Sequence, residues 1–210
     1  MAITVPIGGR SREQLVRRAR ALAWTGNAWH VVEFAIALGA GIAASSIALV
    51  GFGLDSLVET FAGLIVVWRF ADRRADHARA ERRAQELIAA SFFVLAAYVA
   101  AESIHVLVTQ THPGTSWIGI GLAAFTATTM PLLARAKRRV GRSLGSAATV
   151  SEAGQNQLCA YLSVALLAGL LANAIAGWWW ADPAAALVIA GLAVREGVGA
   201  WSGESCCESC

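Results

Sequence analysis

The chain has 210 residues, of which 57% are hydrophobic and only 15% charged, and its mean hydropathy of +0.56 lies far from the balance of an ordinary soluble domain. Those values exclude a water-soluble globular fold. With roughly 20 apolar residues needed per membrane-crossing helix, they leave room for six spans, short connections and no large soluble domain. The net charge of +3 follows from where the cations are placed and implies no nucleic-acid partner.

The polar segment 1–20 carries Arg10, Arg12, Arg17, Arg18 and Arg20 and has no apolar stretch long enough for a signal-peptide core, so the first helix is expected to be retained. Apolar runs follow at 21–41, 46–68, 87–108, 117–134, 148–178 and 183–200, each read as a transmembrane helix. Arg69, Arg73, Arg74, Arg79, Arg82 and Arg83 follow the second run. Arg135, Lys137, Arg138, Arg139 and Arg142 follow the fourth, and Arg195 lies near the end of the sixth. Together with the N-terminal five these are all 17 basic residues, and none falls in the alternate connections. The positive-inside rule then places both termini in the cytoplasm.

The expected fold is therefore all-α, a polytopic membrane protein of six transmembrane helices, N-in and C-in. It divides into a cytoplasmic segment 1–20, a six-helix domain 21–201 and a cytoplasmic Cys-rich tail 202–210. The outer turns are short, and Trp178, Trp179 and Trp180 suit a membrane interface. The loop 71–86 alternates Arg with Asp and Glu and reads as a solvated helical extension.

A carboxylate at mid-membrane costs roughly 2.5–3.5 kcal/mol on insertion scales, so each must face a cavity or a partner. On the second helix Asp55 and Glu59 are four apart, on one face. Such a pair can hold a divalent cation, and its mutual repulsion lets it take protons when the metal leaves. The alternative is a neutral, hydrogen-bonded pair joining helices. On the fifth helix Glu152, Gln155 or Asn156, and Cys159 share a face and offer thiolate and amide donors compatible with zinc or a similar ion. Packing for Cys159 and an interhelical hydrogen bond for Gln155 are the alternatives.

The first helix holds Asn27, His30 and Glu33 at three-residue steps, and the third holds Glu102 and His105, also three apart. Both are polar stripes suited to proton delivery, a second cation site or pairing between helices. Asp182 before Pro183 reads as the N-cap of the sixth helix. Cys206, Cys207 and Cys210 place three thiols on a tail facing a reducing compartment, able to capture a thiophilic metal and hand it on, or simply free.

These residues resemble the cation diffusion facilitators, which export zinc and related divalent ions, usually in exchange for protons. One passage is Ser46-Ile-Ala-Leu-Val-Gly-Phe-Gly-Leu-Asp-Ser-Leu-Val-Glu, similar to the family's second helix, with Asp55 and Glu59 at its metal-binding positions. The other runs from Trp180-Ala-Asp-Pro to Glu196-Gly197 and resembles the sixth helix. The family pattern places Gln155 and Cys159 where the fifth helix usually supplies His and Asp, a departure that leaves the metal open. The run Gly63 to Phe70 is similar to the vesicular zinc transporter branch, which lacks the family's cytoplasmic domain. The resemblance implies a transmembrane-only form.

The expected function is a homodimeric divalent-cation transporter in the cell membrane, zinc foremost, moving its cargo out of the cytoplasm in exchange for protons. Asp55, Glu59, Gln155 and Cys159 would bind the ion. The metal is cargo rather than cofactor, and no enzymatic activity is expected. The alternative is a non-transporting membrane metal sensor or partner protein with a thiol metal-binding tail. An intramembrane enzyme built on Glu102 and His105 lacks a second ligand cluster or a nucleophile motif.

Overall fold

Six apolar runs without internal breakers, apart from Pro131, become six α-helices. They are α1 (Gly9–Ala44), α2 (Ile47–Ala71), α3 (His77–Thr109), α4 (Trp117–Leu144), α5 (Ala147–Ala176) and α6 (Ala181–Ser202). The computed structural model describes residues 9–71, 77–144 and 147–202. Several helices outrun their apolar cores: α1 begins at Gly9 rather than near 21, α3 reaches back to His77 through the charged connection, and α4 carries its basic run as far as Leu144. Arg, Glu, Gln and Ala are good helix formers, so an apolar-run boundary marks where lipid contact would end and not where the helix ends.

Among the described residues α1, α3, α4 and α5 are long and apolar enough to cross a membrane, and α2 and α6 complete the bundle between them. Large apolar side chains face outward on every helix, among them Ile42, Phe61, Val94, Ile118, Val164 and Val198. Glu33, Asp55, Glu59, Lys137, Glu152 and Asn156 are buried. This inside-out distribution fits a protein whose solvent is hydrocarbon. The chain is a polytopic helical membrane protein.

Successive helices run antiparallel. α1 packs on α2 and α4, α4 on α5, and α3 on α6, while α2 also touches α3, α5 and α6. The turns after α1, α3 and α5 gather at one end, and the basic stretch Arg135 to Arg142 of α4 lies toward the other. Each of these three turns leaves its helix through a residue of positive φ, at Ser45 (53°), Gln110 (52°) and Gly177 (66°). Ser46 N–H then donates to Gly41 O at 2.9 Å and Thr111 N–H to Val106 O at 3.1 Å, satisfying carbonyls that the helix end would orphan. Gly114 N–H donates to Ala44 O at 2.8 Å and Asn173 Nδ2 to Pro113 O at 3.0 Å, so the turn end is laced together across helices.

Asp182 corrects the sequence reading. It lies inside the first turn of α6 and caps α2 instead of its own helix: its Oδ1 accepts from Ser46 Oγ at 2.5 Å and its Oδ2 from Ala48 N–H at 3.3 Å. Ser46 Oγ in turn accepts from Leu49 N–H at 3.2 Å. Replacing Asp182 by Ala removes a cap and strands a buried hydroxyl, a loss expected at about 1–3 kcal/mol. A lowered midpoint of thermal unfolding in detergent would register it, with Asp182→Asn retaining part of the loss; an unchanged midpoint in the Ala variant would rule the cap out.

Candidate metal centre

Helical periodicity puts residues three, four and seven apart on one face, and four helices turn such faces toward a common axis. Their members form three layers. Nearest the turn end are Glu33 of α1, Ser56 of α2, Thr126 of α4 and Cys159 of α5. One turn toward the basic end come His30, Glu59, Met130 and Asn156. Beyond these lie Asn27, Gly63, Lys137 and Glu152. All of these side chains are buried.

Glu33, fully buried, is the hub of the first layer. Its Oε2 accepts from Ser56 Oγ at 2.9 Å, its Oε1 from Thr126 Oγ1, and the Cys159 thiol points at Oε2 from 3.8 Å. In the second layer His30 Nδ1 lies 3.3 Å from Glu33 Oε2 and 3.2 Å from Glu59 Oε2, bridging the carboxylates of α1 and α2. One ligand atom each from His30, Glu33 and Cys159 fit within 4.8 Å of one another. A nitrogen, an oxygen and a sulfur at that separation match the donor types of a four-coordinate zinc-type site, with Glu59 at its edge.

The third layer surrounds a cavity of about 10 Å³, room for roughly one water-sized species. Asn27, His30, Glu59, Lys137, Glu152, Gln155 and Asn156 line it, with Gly63. Two buried polar atoms on this lining, Asn27 Nδ2 and Glu152 Oε1, have no hydrogen-bond partner among the described residues, and Glu59 Oε2 has no well-aligned one beyond its 3.2 Å contact with His30 Nδ1. Buried polar atoms are nearly always satisfied, so these under-satisfied atoms on one small cavity point to a water or cation that belongs there. Glycine at 63 makes room for Asn27: a Cβ there would overlap the Asn27 carboxamide oxygen and displace that side chain.

The residues singled out from sequence divide in space. Cys159, His30 and Glu33 supply the three ligand atoms of the cluster, and Glu59 borders it. Asp55 is buried one turn along α2 from Glu59, outside the three-residue cluster. Gln155, Asn156 and Glu152 line the cavity. Glu102 is half-buried and His105 exposed on α3, away from the cluster. Cys206, Cys207 and Cys210 lie outside the described residues.

The sequence reading missed Lys137, which was assigned to a cytoplasmic loop. It is a helical residue of α4, 2% exposed, with Nζ donating to Asn156 Oδ1 at 2.8 Å and standing 3.8 Å from Glu152 Oε2. Its spacing of seven from Met130 and eleven from Thr126 continues the inward stripe of α4, a signal present in the sequence.

Among family models, the cation efflux transmembrane domain matches residues 28–200, a region that contains His30, Glu33, Asp55, Glu59, Lys137 and the whole of the α5 stripe. A comparison with curated proteins returns no match. Since the matched region takes in most of the chain and every ligand of the cluster, the protein belongs to the cation efflux family, the cation diffusion facilitators, membrane transporters of divalent cations.

Proposed function

We propose that the protein exports a transition-metal dication, zinc foremost, from the cytoplasm in exchange for protons. It works as a homodimer in the cell membrane with both termini inside, and performs no catalysis. The convergence of His30, Glu33 and Cys159 within 4.8 Å, with Glu59 3.2 Å from His30, carries this reading. Imidazole, carboxylate and thiolate together suit zinc better than magnesium or calcium, which prefer all-oxygen shells. The metal is cargo and needs no resident cofactor.

Coupling to protons follows from the ligands. Carboxylate, imidazole and thiol bind metal only in their deprotonated forms, so loading the site expels protons and protonating it expels metal. A site that crosses from the cytoplasmic to the far side with metal bound, exchanges it there for protons and returns with the protons bound moves metal outward. The sorting of basic residues supports a cytoplasmic basic end, and the cavity layer lies on that side of the cluster.

The test is zinc uptake by the purified chain in liposomes with an imposed proton gradient, read by a trapped zinc indicator and a trapped pH indicator. Saturable zinc entry above protein-free vesicles, with protons leaving as zinc enters, is the expected result. Zinc flux indifferent to the gradient would remove the exchange. Zinc binding without any flux would make the protein a membrane metal sensor instead.

A further inference from the structure

The chain's only lysine is, among the described residues, the one Lys or Arg side chain buried beside the cluster. The other basic residues are arginines, and the described ones are at least partly exposed. Burying an ammonium inside a membrane bundle is costly unless it is paired. Among the described residues its pairing is loose: a hydrogen bond to Asn156 Oδ1 at 2.8 Å, and Glu152 Oε2 at 3.8 Å. Room has been kept for it, since a Cβ on Gly26 of α1 would lie 2.8 Å from Nζ.

The hydrogen bonds leading from Lys137 have a single possible polarity. An ammonium only donates, so Asn156 Oδ1 accepts and Asn156 turns its amide hydrogens toward Met130 Sδ at 3.2 Å and His30 Nε2 at 3.3 Å. His30 Nε2 is thereby the acceptor, and its Nδ1–H is left to face Glu33 Oε2 at 3.3 Å and Glu59 Oε2 at 3.2 Å. The positive end of the chain is Lys137, and its negative end is the carboxylate pair where cargo would sit. Lys137 thus occupies, on a tether, the electrostatic role that a bound dication would take over.

We propose that Lys137 is a built-in competitor of the transported cation: its ammonium offsets the carboxylates of the empty site through Asn156 and His30, and weakens cargo binding enough for release. The proposal rests on the reading of this cluster as the cargo site. Lys137 is a positioning and affinity-setting residue in it and not a ligand. A monocation and a dication held apart by two intervening side chains, Asn156 and His30, in a medium of low effective dielectric still repel by more than about a kilocalorie per mole, so losing one should tighten binding of the other by at least about tenfold.

The test is zinc binding by calorimetry on the detergent-solubilised full chain. Lys137→Met keeps the length of the apolar stem and is expected to bind zinc at least about tenfold more tightly than wild type. Lys137→Arg, which restores the charge, should return the Kd to within roughly threefold. Arg139→Met, an exposed cation on the same helix, should leave it unchanged. Should Lys137→Met misfold by stranding Glu152, the same tightening is expected of Lys137→Met with Glu152→Gln measured against Glu152→Gln alone.

Equal or weaker binding in the Met variants overturns the competitor role, as does equal tightening in Arg139→Met. In either case zinc binding by wild type leaves the cargo-site reading standing. Absence of zinc binding by wild type and all variants overturns both.

Discussion

Replacing Glu33 by Gln is expected to weaken zinc binding by at least about a hundredfold and to bring zinc flux in liposomes close to background. Losing an outer partner of a metal ligand typically costs 10–100-fold in affinity, and loss of the ligand's own charge should exceed that. A hundredfold corresponds to about 2.7 kcal/mol. Glu33 is fully buried and touches His30, Ser56, Thr126 and Cys159, so its carboxylate is the point through which α1, α2, α4 and α5 meet. Gln has nearly the same shape, and the hydroxyls of Ser56 and Thr126 can turn from donating to accepting. The variant should therefore fold, and calorimetry with a melting curve separates binding from stability.

Asp55→Asn is the informative contrast. If the ion sits among His30, Glu33 and Cys159, Asp55 acts on it only through its charge, and the loss should stay near tenfold. A Glu33→Gln protein that binds zinc like wild type, beside an Asp55→Asn protein that does not, would move the site from the first layer toward α2 alone.

How far the sequence could go is clear from individual residues. Three-residue steps on α1 and four-residue steps on α2 and α5 identify which side chains share a face, because helical geometry is fixed within a helix. They do not identify which faces meet. The resemblance points to α2 and α5, and the cluster also takes in His30 and Glu33 from α1, whose packing against both α2 and α4 depends on the tertiary arrangement. Glu102 and His105 have the same spacing as His30 and Glu33, yet α3 packs chiefly on α6 and turns His105 outward. Spacing alone cannot separate the two stripes.

Lys137 shows a different limit. Counting cations assigns the run Arg135 to Arg142 to one side of the membrane, a statement about the run as a whole. Which member turns inward depends on the phase of α4, set by Thr126 and Met130 further up the helix. Asp182 was legible as a cap but not as a cap on another helix. The α5–α6 turn brings it against Ser46, 136 residues away in sequence, and no local pattern carries that information.

If the ion is held as proposed, Cys159 sets which metal the site prefers, and its replacement should show as a change of preference more than of activity. Its sulfur is fully buried and 3.8 Å from Glu33 Oε2, at the position where the family usually supplies an aspartate. Thiolate favours soft and borderline ions such as cadmium and zinc, and an oxygen donor favours harder ones such as manganese. Cys159→Ser is expected to weaken cadmium binding most, zinc less and manganese least, shifting the cadmium-to-manganese affinity ratio by roughly a hundredfold. Cys159→Asp, close in size and carrying the family's usual oxygen ligand, should recover binding while keeping the shifted preference. Serine is close in volume and keeps a donor facing Glu33, a hydroxyl in place of the thiol, so packing is disturbed little. An unchanged ratio in both variants would leave Cys159 as a packing residue, and the ion would then be held by His30 and the carboxylates of α1 and α2 without sulfur.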